Sequence, residues 1–276
     1  MIICKRYIAF VIPILFLIQM VSSQQRTSGT TVVTSGRPLE EVGNRLQAVY
    51  GRVVTYEEPI LTWREELQPQ TGRSPEEKWQ LFPKPQTFSM RAINPGSDLG
   101  PFLNDTIAAY HEQTSGTRFK LLSSKLGYHI VPVQAHDEGG RLVATNNILD
   151  QLITVPSEAR TARGHLLAFG EAVNKTLPIP LIISAVPGRP SGFDDAFRAK
   201  PGEFTWGIQN LTAREALIDL FDRSASSFSW QLKCQSSAQL GDRFCALNVG
   251  LLEIEEMDSE GKPQKRVLAF DRMPQQ

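Results

Sequence analysis

Apolar positions along this chain alternate between helical and strand spacing. Leu39, Val42, Leu46, Val49 and Tyr50 recur at the helical period, so the stretch opening at Pro38 predicts an amphipathic helix that Gly51 ends. Pro38 falls in the first turn, where a missing N–H costs nothing. Thr31-Val32-Val33-Thr34 before it and Val53-Val54-Thr55-Tyr56 after it are β-branched runs that predict strands. Residues 63–86 are polar and proline-rich and predict an inserted loop, with a helical turn at 75–79. A strand at 87–93, a turn at Asn94-Pro95-Gly96 and a helix over 100–113 follow, the helix carrying Leu103, Ile107 and Tyr110 on one side. Two strands at 117–122 and 127–133 predict a hairpin.

The same order then recurs. Residues 152–155 predict a strand, and 159–175 a helix with Ala162, Leu166, Phe169 and Val173 in register. Residues 181–183 predict a short buried strand, 186–203 a Pro/Gly-rich loop, and 204–208 another strand. Thr212-Ala213-Arg214-Glu215 is a capping box: the Thr hydroxyl accepts a backbone N–H while the Glu reaches back. It opens a helix with Leu217, Leu220 and Phe221 on its apolar face, and strands at 228–232 and 245–252 close the pattern.

These elements predict an α+β fold of two similar small modules. Each holds about two βαβ-type units, with a small mixed sheet covered by two helices on one face. The first module is placed at 28–145 with its loop at 63–86. The second is placed at 146–255 with its loop at 186–203 and a cysteine hairpin, and 256–276 is read as a C-terminal extension. Phe88-Ser89-Met90 matches Phe204-Thr205-Trp206 in place, and residues 118–122 match 229–233, so an internal duplication is expected.

The first residues follow neither pattern. Lys5 and Arg6 precede an apolar run from Tyr7 to Val21, and small residues follow at Ser22 and Ser23. That is the layout of a secretory signal peptide, 1–23, and the run is short for a membrane span of about 20 apolar residues. The alternative is a retained N-terminal anchor. The expected location is periplasmic or extracellular, and no other segment is apolar enough to span a bilayer.

Export changes the charge and cysteine arithmetic. The full chain of 276 residues has 29 basic and 29 acidic side chains and three cysteines. Loss of 1–23 removes Lys5, Arg6 and Cys4, leaving a slight acidic excess and the pair Cys234 and Cys245. Such a balance excludes nucleic-acid binding through bulk positive charge. An even pair in an oxidising compartment predicts one disulfide, Cys234 to Cys245, across a turn-like stretch. Its role is read as structural.

Chemistry is sparse. The chain lacks the zinc-protease, Walker, dinucleotide and nucleophile-elbow motifs. His129, His136, Asp137 and Glu138 form the densest ligand-like cluster, but it reads as a strand followed by a solvated turn. Adjacent acids such as Glu57-Glu58 and Glu65-Glu66 read as solvated charge, because neighbours on a strand face opposite ways, and Asp194-Asp195, in a long loop, alone keeps a functional reading. His165 reads as a packed helix residue. No catalytic, metal or cofactor-binding residue is assigned, and no cofactor is expected.

Two stretches carry a resemblance. Arg37-Pro38-Leu39-Glu40-Glu41-Val42-Gly43-Asn44-Arg45-Leu46, with Val53 to Glu57 after it, resembles the first half of the secretin and TonB short N-terminal domain. Leu211 to Phe221, with Phe228-Ser229-Trp230 after it, resembles its second half. In that family a small sheet is covered by two helices and no residue is catalytic. The resemblance implies a non-catalytic adaptor of the cell envelope that docks onto another envelope protein. Departures are the two long loops and the lack of a pore or receptor barrel after the modules. The enzymatic alternative is a secreted hydrolase whose site is formed by the long loops near His136 and Asp194.

Overall fold

In the first half β1 (Thr30–Ser35) leads into α1 (Pro38–Tyr50) and β2 (Val53–Glu57). Short strands β3 (Leu67–Pro69) and β4 (Gln80–Pro83) precede β5 (Gln86–Arg91), α2 (Leu99–Gln113), β6 (Arg118–Ser123), β7 (Gly127–His136) and β8 (Leu142–Ala144). The second half runs β9 (Leu152–Arg160), α3 (Ala162–Asn174), β10 (Leu181–Ala185), β11 (Phe204–Thr212), α4 (Ala213–Asp222), β12 (Phe228–Ser237) and β13 (Arg243–Leu251). A hairpin of β14 (Glu253–Met257) and β15 (Pro263–Val267) follows. The fold is α+β. This computed structural model describes residues 29–69, 80–94, 96–185, 203–224, 227–237, 243–257 and 263–267. The expected signal segment, the turn at 75–79 and Asp194-Asp195 lie outside the described residues.

Local signals set the helix ends. Gly51 closes α1 in the left-handed region, φ 60°, and donates its N–H to the Gln47 carbonyl. Asp98 and Thr161 cap α2 and α3 by accepting from the N–H groups of Gly100 and Gly164. The Thr212–Glu215 capping box is present at α4.

The strand pairing of the first half repeats in the second. β1 pairs antiparallel with β5, β2 parallel with β7, and β6 antiparallel with β7. Correspondingly, β9 pairs antiparallel with β11, β10 parallel with β13, and β12 antiparallel with β13. The agreement reaches single residues. Gln47 and Asn174 each stand seven positions before a strand residue and accept its N–H, from Val54 at 3.1 Å and from Leu181 at 2.6 Å. Aligned on these amides, buried Leu39, Val42 and Leu46 fall on buried Leu166, Phe169 and Val173. Gly43 falls on Gly170. A Cβ at Gly43 would lie 3.3 Å from Val54, and one at Gly170 2.5 Å from Ile183, so both helices use a glycine to approach the following strand.

One further pairing joins the halves. β12 runs parallel to β2, Gln231 opposite Tyr56 and Leu232 opposite Glu57, which gives a continuous order β10-β13-β12-β2-β7-β6. Beyond the end of β2, β4 pairs with the end of β12. Alternation along the strands then places the two helix pairs on opposite faces of this sheet. Tyr56 enters the first core with Leu46 and Phe102, whereas its neighbour Glu57 meets Arg214 of α4 on the far face. Conversely, Trp230 and Leu232 enter the second core, while Gln231 and Lys233 meet Asn44 and Glu40 of α1.

Several elements depart from the sequence reading. The 63–86 insertion carries β3 and β4 because its ends pair with each other. Residues 159–160 continue β9 against β11, so α3 starts only after Thr161. Among the described residues the strand at 181–183 ends the sheet, with Ile182 52% exposed. The expected boundary at 255/256 falls inside β14, whose partner β15 lies in the expected extension.

Candidate functional site

The seam between β2 and β12 gathers the buried charges. Glu57 is fully buried, and Arg214, fixed in the first turn of α4 by the capping box, reaches across to it. Arg214 Nε donates to Glu57 Oε1 at 2.7 Å and Nη2 to Oε2 at 2.6 Å, while Nη1 pairs with Asp150. Burial opposes the charge on Arg214, but the bonds and charges of Glu57 and then Asp150 outweigh it and raise its pKa. Glu58 is likewise buried and accepts from Arg37 Nε and Nη2 at 3.0 and 2.9 Å and from the Cys234 N–H at 2.8 Å. Lys233 pairs with Glu40 at 2.5 Å and Gln231 donates to Asn44 at 2.6 Å. Glu57-Glu58, expected to be solvated, is therefore interior: each carboxylate has an arginine brought in from a distant segment. No sequence pattern announces either partnership.

His129 of β7 lies at the same seam. Its Nδ1 is 2.8 Å from Thr55 Oγ1, its Nε2 is 2.7 Å from Ser124 Oγ, and its ring stacks on Trp230 at 5.0 Å. A serine, a histidine and a hydroxyl in that order have the layout of a nucleophile, base and orienting group. Burial, and secondarily the charge of Arg214, lowers the His129 pKa to about 3. A general base needs a pKa near the working pH, so this ring is far too weak a base. Its two bonds and stack make it a structural pin between β2, β7 and β12.

His136, near which the enzymatic alternative places its site, lies on β7. Its Nδ1 is 2.8 Å from Glu66 Oε1, and its ring packs 4.6 Å from that of Trp63. Beside it lies a cavity of about 30 Å³ lined by Tyr56, Glu58, Glu66 and Tyr110, room for a water. Burial pushes the Tyr110 phenol up to about 12, and its OH donates to Gln86 at 2.7 Å. The neighbouring Asp137 accepts from Arg141 and the Gly139 N–H, and Glu138 pairs with Arg243. Among the described residues no three His, Cys, Asp or Glu side chains converge as metal ligands. His111 Nε2 accepts the Phe119 N–H at 2.9 Å, and His165 Nε2 lies 2.6 Å from the Phe204 carbonyl.

What the fold leaves open is the rim of the sheet. Among the described residues, β6 and β10 are its two ends. α3 exposes Leu167 to 54% on the face of β10 that Leu181 and Ile183 share, and Ile182, 52% exposed, points to the opposite face. Cys234 and Cys245 face each other across β12 and β13 and are disulfide-bonded. Among the described residues no helix is long and apolar enough to cross a membrane. The disulfide is compatible with an exported protein. No protein-family model matches the chain, and no curated protein or solved structure matches it.

Proposed function

We propose that this chain is a non-catalytic, exported adaptor of the cell envelope that binds another envelope protein through its sheet rim. The observation that carries the reading is the use of its polar groups. The buried charges serve packing: Arg214 with Glu57 and the Cys234 N–H with Glu58 join the two halves, Arg37 pairs with Glu58 within the first half, and burial lowers the His129 pKa. The strand edges remain, and an exposed edge captures another chain by backbone hydrogen bonds. The repeated strand–helix–strand order also supports the likeness to the secretin and TonB short N-terminal domain. A disulfide and a basic-then-apolar leader support a periplasmic or extracellular site.

The test is in-cell photo-crosslinking from position 120 on β6 and position 182 on β10, followed by mass spectrometry of fractionated envelopes. Covalent adducts with one recurrent envelope protein other than this chain are expected. Adducts confined to cytoplasmic proteins, or none from either edge, would refute the adaptor reading.

A further inference from the structure

The seam between the halves has a second use. It joins a β12-type edge to a β2-type edge, and among the described residues the sheet has one unpaired copy of each. By the shared pairing scheme β6 corresponds to β12, and β10 corresponds to β2. The described sheet therefore ends on the same two surfaces that meet at its middle.

The correspondence can be followed residue by residue. Leu121 pairs with Ile130 as Leu232 pairs with Leu247, so Phe119, Lys120 and Leu122 take the places of Trp230, Gln231 and Lys233. On the other side, the Gln47/Asn174 amides set Ile182 and Ile183 in the places of Thr55 and Tyr56. They also set Leu167 and Glu171 of α3 in the places of Glu40 and Asn44 of α1. At the internal seam Gln231 bonds Asn44 and Lys233 pairs with Glu40. The same two contacts rebuilt between the free edges bring Lys120 to Glu171 and Leu122 to Leu167. One polar pair has become an ion pair and the ion pair has become an apolar pair, so both remain complementary. Lys120 and Glu171 are exposed, and Leu167 and Ile182 are among the most exposed large apolar residues, 54% and 52%.

We infer that a second copy of this chain docks by adding its β10 edge, parallel, to the β6 edge of the first. Lys120 stands opposite Ile183 and Leu121 opposite Ser184, as Gln231 and Leu232 stand opposite Tyr56 and Glu57. The contact is heterologous and leaves one β6 and one β10 free, so it extends into an open series rather than closing as a dimer. Helices alternate from face to face along the extended sheet, as they do within one chain. Lys120 guards the edge against wrong partners: β6 against β6 brings two lysines together, whereas β6 against β10 meets Glu171.

Sedimentation velocity of the purified, disulfide-bonded chain at rising concentration tests this without any envelope partner. It therefore stands or falls separately from the adaptor reading. The chain is expected to form a graded series of oligomers that high salt weakens. Lys120→Glu and Glu171→Lys each weaken association about tenfold or more by setting like charges opposite one another. Mixing the two variants restores association, because each supplies the charge the other lacks. Leu167→Asp, at an exposed position, also weakens association while the unfolding midpoint stays unchanged. A chain monomeric at all concentrations, variants that associate like the parent, or a mixture that stays dissociated would each overturn the inference.

Discussion

Arg214 and Glu57 are 157 positions apart in sequence, yet they meet through two charge-assisted hydrogen bonds at 2.7 and 2.6 Å. Glu57 lies on the sheet of the first half and Arg214 on a helix of the second, so the pair marks where the halves were fitted together. Removing one member leaves the other charged and buried. Arg214→Met and Glu57→Leu are each expected to cost about 3–5 kcal/mol. Glu57→Leu combined with Arg214→Met should recover much of that loss, because an apolar pair needs no desolvation of charge. Chemical denaturation of the four proteins checks it. Additive single and double losses would mean that the pair is not coupled.

The second expectation concerns pH. His129 titrates near 6.5 in the unfolded chain and at about 3 in the folded one. Between these values the unfolded state binds the proton and the native state does not. Stability is therefore unaffected above pH 6.5 and falls as pH drops from 6.5 towards 3, by up to about 1.4 kcal/mol per unit. Burial lowers His111 and His165 as well, so they act in the same direction. Urea midpoints measured from pH 7 down to 5 should fall, and His129→Gln should flatten that dependence. An unchanged slope in the variant would remove His129 as its source.

The disulfide spans 11 positions between β12 and β13. A closed loop of this size restricts the unfolded chain by about 3 kcal/mol. Reduction should lower the thermal midpoint without changing far-ultraviolet circular dichroism, since the two strands remain paired along their length. Peptide mapping under non-reducing conditions should recover Cys234 joined to Cys245, and a thiol label taken up by the native protein would contradict it.

Gly127 begins β7 at φ +155°, and a Cβ there would lie 2.2 Å from the Val53 carbonyl oxygen. The obstacle is backbone in the neighbouring strand, so no rotamer change relieves it. Gly127→Ala should cost about 2 kcal/mol or more. Gly43→Ala, whose new Cβ meets side chains alone, Val54 at 3.3 Å and Ile130 at 3.8 Å, should stay within about 1 kcal/mol of the parent. Equal losses from the two would sink this distinction.

Periodicity and end signals determined much of this protein by themselves. The apolar faces of α1 to α4, the capping box at Thr212 and the stop at Gly51 are local, set by spacing and by backbone groups within a few residues. The order of strands and helices was legible for the same reason. Less legible were β3, β4 and β8, strands of three or four residues that form because a partner edge is within reach. The boundary between β9 and α3 was also hidden, since pairing with β11 overrides a helical pattern through residue 160. Only the tertiary structure decided that the two halves share one sheet with helices on opposite faces. That choice depends on which edge meets which, and no local propensity encodes it. It buried Glu57 and Glu58, which read as surface charge until Arg214 and Arg37 arrived beside them, and it left β6 and β10 as the ends of the described sheet.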